Sequence, residues 1–105
     1  MRHGGGYRTG LLCVNGSGSL DYKRSGTAEV TVFSTEGQGK SASFSLPPFG
    51  WRLAWIDELI PDLAAHLGAA GNGALLVGSK NADMNCQIVT VSDKGAVSLQ
   101  HLWGY

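Results

Sequence analysis

"TAEVTVFSTEGQGKSASFSL", residues Thr27 to Leu46, decides the fold class. In its first seven residues Ala28, Val30 and Val32 alternate with Glu29 and Thr31, the two-residue period of a strand with one buried and one wet face. "STEGQGK" then supplies a turn. Ser41 to Leu46 resumes the alternation with Ala42, Phe44 and Leu46 pointing inward. Two alternating runs joined by a glycine-containing turn predict a β-hairpin.

The rest of the chain extends that pattern. Tyr7 to Val14 reads as a strand that ends in "NGSGSLDYKRSG", residues 15 to 26, a stretch dense in turn formers. Pro47-Pro48-Phe49-Gly50 stops the hairpin's second strand, because proline has no N–H to give a ladder. "WRLAWI", residues 51 to 56, then sets Trp51, Leu53 and Trp55 on one face and Arg52 and Ala54 on the other. The period changes next: Ile60, Leu63, Ala64 and Leu67 fall at i, i+3, i+4 and i+7, which predicts one short amphipathic helix from Pro61 to Leu67. Pro61 suits its first turn, Asp62 the positive end of its dipole, and Gly68 a left-handed stop. "ALLVGS", residues 74 to 79, is continuously apolar and predicts a central strand, while "CQIVTVS" and "AVSLQHLWGY" flank the turn Asp93-Lys94-Gly95. About seven strands and one short helix predict an all-β fold, a two-layer antiparallel β-sandwich with immunoglobulin-like or jelly-roll-like connectivity. Residues 1–105 form a single domain on this reading, with residues 1–6 as a flexible tail because Gly4, Gly5 and Gly6 leave the backbone permissive.

Composition narrows function by exclusion. Eight basic and eight acidic side chains cancel, so no basic patch points to nucleic acid or an anionic membrane surface. No apolar run approaches the roughly 20 residues of a bilayer-crossing helix, and "MRHGGGYRTG" lacks the apolar stretch of a signal peptide. The expectation is a soluble, cytoplasmic protein without a membrane or nucleic-acid partner. Cys13 and Cys86 then read as two reduced, partly buried thiols, with an inter-strand disulfide as the alternative in an exported protein. Neither has a further Cys or His at ligand spacing, so no zinc site and no cofactor are expected.

Catalytic patterns are weak, and the expectation is that the chain is not an enzyme. Gly16-Ser17-Gly18 is a loop and not a strand-to-helix elbow, and "GNGALLVG" places its glycines before a strand instead of before a helix. "SKNADMN" has the look of a cation loop but lacks the glycine and distal glutamate of that motif. The two ends are more distinctive. "RHGGGY" and "QHLWGY" both read His-x-x-Gly-Tyr, and alternation along the last strand puts Val97, Leu99, His101, Trp103 and Tyr105 on one face, with Val97 and Leu99 toward the core. If the first and last strands are neighbours, His3 and His101 come together. The candidate ligand- or partner-binding residues are therefore His3, Tyr7, Trp51, Trp55, His101, Trp103 and Tyr105, the aromatic ones offering flat, partly apolar faces.

The leading expectation is a non-catalytic binding or assembly module that homo-oligomerises through strand edges and aromatic positions and presents a surface to a ligand or protein partner. With 15% charged residues, few charges are available to blunt the edges. One alternative is a carbohydrate-binding module stacking sugars on Trp51, Trp55 or Trp103. Another is a small metal-dependent enzyme built on His3, His66 and His101.

The runs "SFSLPPFGWRLAWIDELIPDL" and "GALLVGSKNADMNCQIVTVS" give an order of elements that resembles the small bacterial β-sandwich proteins related to the sensory rhodopsin transducer. The resemblance spans residues 27 to 92 and is one of element pattern. It implies a sandwich that assembles as a homo-oligomer and binds a protein partner or a small ligand such as a carbohydrate, and it transfers no binding residue.

Overall fold

The computed structural model describes residues 1–16, 21–69, 71–80 and 84–101, the last four of these as backbone only. Its strands are β1 (Tyr7–Asn15), β2 (Gly26–Ser34), β3 (Gly39–Leu46), β4 (Trp51–Trp55), β5 (Gly73–Lys80), β6 (Met84–Ser92) and β7 (Val97–His101). Two short helical turns, α1 (Ile56–Leu59) and α2 (Leu63–Leu67), stand between β4 and β5. Two antiparallel three-stranded sheets, β4-β1-β6 and β3-β2-β5, form the sandwich, and β7 adds beside β6. The β2–β3 hairpin has the expected register, with Val30 opposite Ala42 and Ala28 opposite Phe44.

The inner faces meet in one core. Leu11, Cys13, Ala54, Met84 and Cys86 come from the first sheet, and Ala28, Val30, Val32, Phe44, Leu46 and Val77 from the second. Ile56, Ile60, Leu63 and Leu67 add the helical turns to the same cluster. Removing a side chain the size of Leu11, Ile56 or Leu63 from water contributes roughly 1.5–3 kcal/mol each, and all three are at most 1% exposed.

Several expectations are corrected. The short helix predicted over Pro61–Leu67 is found as α2, Leu63–Leu67, and a second helical turn that was not expected, α1, precedes it. α1 closes when the Ile60 N–H donates to the Ile56 carbonyl, and Pro61, without an N–H, cannot carry the ladder one residue further. Gly68 does stop α2, at φ +72°. "ALLVGS" lies in an edge strand: β2 is the centre of its sheet, and β5 alternates, with Val77 buried and Leu76 61% exposed. Val97, expected inward, is 65% exposed, because its register partner Val91 carries it to the outer face. β1 lies between β4 and β6, whereas an immunoglobulin sandwich keeps its first strand at an edge.

Residues 1–6, expected as a loose tail, are paired. The Met1 amino group donates to the Gly73 carbonyl at 2.8 Å, Arg2 bridges Asn72, and the Thr9 hydroxyl donates to the Arg2 carbonyl at 2.5 Å. On the other side of α2 the His66 Nε2–H donates to the Val32 carbonyl at 2.9 Å. His66→Ala removes that bond and is expected to lower stability by about 1 kcal/mol, read as a shift in the urea midpoint at unchanged slope.

Candidate functional site

Alternation assigns each strand one outer face, and the two sheets present opposite chemistry there. On β3-β2-β5 the outward rows are Thr27–Ser45, Glu29–Ser43 and Thr31–Ser41, with Lys80, Gly78 and Leu76 beside them. The hydroxyls of Thr31 and Ser41 bond at 2.8 Å, and Lys80 Nζ meets Glu29 Oε1 at 3.0 Å. That face is solvated and hydrogen-bonded to itself.

The outer face of β4-β1-β6 is apolar. Its rows run Trp51–Val14–Asn85, Leu53–Leu12–Gln87 and Trp55–Gly10–Val89, and Arg8–Val91–Val97 continues them onto β7. Trp51 is 69% exposed, and Leu53 and Val14 are also open to solvent. The core takes the smaller side of β4, Ala54, which leaves both tryptophans and Leu53 outside.

Trp55 is fixed from two sides. A Cβ on Gly10 would lie 2.9 Å from the indole Cε3, so only glycine lets that ring lie over β1. Above it, Arg8 Cζ stands 4.3 Å from the ring centroid, a cation–π contact. The guanidinium is clamped by Asp57, with Nε to Oδ2 and Nη2 to Oδ1 both at 3.0 Å, and Nη2 reaches Glu58 Oε1 at 3.2 Å. Those hydrogen bonds to Asp57 hold Arg8 above its ordinary range. The cation at the margin of the apolar face is thus neutralised by its own chain.

The remaining candidates fall elsewhere. His3 donates its backbone N–H to the Gly71 carbonyl at 2.8 Å, just before β5, while His101 stands opposite Gln87 in β6. β1 and β7 do not pair, so the expected meeting of the two histidines is not made. Tyr7 packs under Arg2, whose Cζ is 4.2 Å from its ring centroid. A cleft of about 240 Å³ opens nearby between Arg2, His3, Gly4, Leu67 and Gly68. His3 Nδ1 is buried and has no hydrogen-bond partner among the described residues. Trp103 and Tyr105 lie outside the described residues. His66 faces Val32, and no group of three or more His, Cys, Asp or Glu among the described residues is arranged to hold a metal ion.

Sequence reasoning identified Trp51 and Trp55, with Leu53 on their face, but missed Leu12, Val14 and Val97, which complete the surface. The available signal was a shared parity: once β1 is aligned between β4 and β6, these outward positions join the same face. In the core beneath, Cys13 and Cys86 are register partners with their sulfurs 2.8 Å apart. Their mutual hydrogen bond, then burial, holds the Cys13 thiol well above the ordinary thiol range. No helix among the described residues is long and apolar enough to cross a membrane. Comparison with protein-family models, curated proteins and solved structures finds no match to the chain.

Proposed function

We propose that this protein is a non-catalytic binding and assembly module, and that its working surface is the outer face of β4-β1-β6, continued by β7. The observation that carries this reading is the contrast between the two outer faces, one hydroxyl-lined and self-bonded, the other apolar around Trp51, Leu53 and Val14. Contiguous exposed apolar patches on small domains mark association surfaces. The occupant favoured is a second copy of the chain. Two such faces related by a twofold axis are self-complementary, and Arg8, a cation at the margin, already has its counter-charges in Asp57 and Glu58. The resemblance of residues 27 to 92 in element pattern to the transducer-related sandwiches favours the same reading, a homo-oligomer that meets a protein or small-molecule partner. Static light scattering at micromolar concentration tests it: a particle of at least twice the 11.0 kDa chain mass is expected, and a monomer would overturn the homo-oligomer.

A second reading, carbohydrate recognition, rests on the 69% exposure of Trp51 in the row that also carries Asn85. A flat indole beside an amide suits a sugar ring with its hydroxyls. Titration with oligosaccharides should then change tryptophan fluorescence, and silence across a glycan panel would remove this reading.

A further inference from the structure

We propose that Cys13 and Cys86 are a disulfide-forming pair, closing a covalent staple between β1 and β6 when the chain meets an oxidising thiol–disulfide environment. The placement is what carries this. The two residues are direct register partners on adjacent antiparallel strands, both side chains turn into the core with 0% exposure, and the sulfurs face each other at 2.8 Å. Opposed residues of an antiparallel pair have Cα atoms about 4.5–5.5 Å apart, inside the span of about 4.4–6.8 Å that a disulfide accepts. The bond therefore needs no change of register and no new partner. It would lie directly beneath the strand that supplies Leu12 and Val14 to the apolar face, fixing the two interior strands of that sheet to each other.

The chemistry balances with a small-molecule disulfide such as oxidised glutathione as oxidant. One cysteine, as thiolate, attacks a sulfur of the reagent; the reagent's S–S bond breaks, and its departing thiolate takes up a proton. The second cysteine loses its proton and attacks the mixed disulfide, forming the Cys13–Cys86 bond and releasing a second reagent thiol. The protein gives up two electrons and two protons, and the reagent takes up both. Because neither sulfur is exposed, the reagent reaches them only when β1 and β6 separate. Oxidation is thus fast during folding and slow in the folded protein.

The test refolds the intact chain from denaturant, once in reduced and once in oxidised glutathione. The expected product of the oxidised arm is a single-chain species about 2 Da lighter than the reduced one, with no thiol titratable in denaturant. Closing so long a loop should raise its Tm by roughly 10 °C or more. Cys13→Ala run in parallel should give only the glutathione adduct of Cys86. Two titratable thiols after the oxidised refolding, cross-linked chains in place of the intramolecular bond, or an intramolecular bond that lowers Tm would each overturn the proposal.

Discussion

Asn15→Leu is expected to lower the free energy of unfolding by about 3–5 kcal/mol, a large part of the roughly 5–15 kcal/mol that holds a small domain together. Asn15 ends β1 with 0% exposure. Its Nδ2 donates to the carbonyls of Arg24 at 2.8 Å, Pro47 at 3.1 Å and Leu46 at 3.2 Å, and its Oδ1 accepts from the Tyr22 hydroxyl at 2.5 Å. Those bonds join the first sheet to the end of β3 in the second and to the segment leading into β2. Leucine fills similar space but removes all four of those side-chain bonds at once. Urea unfolding followed by tryptophan fluorescence measures the loss. A change below about 1 kcal/mol, the usual worth of one ordinary hydrogen bond, would show that Asn15 does not bracket the two sheets.

Trp51→Lys is expected to leave folding intact and to weaken self-association by roughly 30-fold or more, the effect of losing about 2 kcal/mol at an interface hot spot. Trp51 is 69% exposed, so little of the fold depends on it, and a lysine ammonium there would have to be desolvated against the partner's apolar row. Sedimentation equilibrium reads the association constant, and circular dichroism checks the fold. The matched change on the other face, Leu76→Lys, replaces a side chain 61% exposed among hydroxyls and should leave association unchanged. Equal effects of the two variants would remove the distinction between the faces.

How much of this the sequence could reveal depends on the range of the interactions. The Thr27–Leu46 hairpin was legible because its alternation and its turn are local, and Gly68 could be read as a stop because a left-handed residue ends a helix by its own geometry. β5 was misplaced because continuous apolarity signals a central strand covered on both faces, whereas among the described strands only β2 pairs with it and its outer face leaves Leu76 exposed. β4 was ambiguous for a different reason. Both sides of "WRLAW" carry an apolar residue, and only the tertiary packing shows that Ala54, 1% exposed, is the one that turns to the core. Asn15, beside Gly16, follows the local rule for a turn former, yet its acceptors lie 9, 31 and 32 residues away. Of the candidate site, the tryptophans were visible as residue types, but the face that unites them with Leu12 and Val14 exists only once β1 is paired between β4 and β6.

Hydroxyl-radical footprinting of the protein at high and low concentration, read residue by residue by mass spectrometry, tests the assignment of the working surface most directly. Trp51, Leu53 and Val14 should lose labelling as concentration rises, while Leu76 on the hydroxyl-lined face labels equally throughout. Labelling of Trp51 and Leu53 that does not depend on concentration, or protection that appears at Leu76 instead, would contradict the placement of the assembly surface on β4-β1-β6.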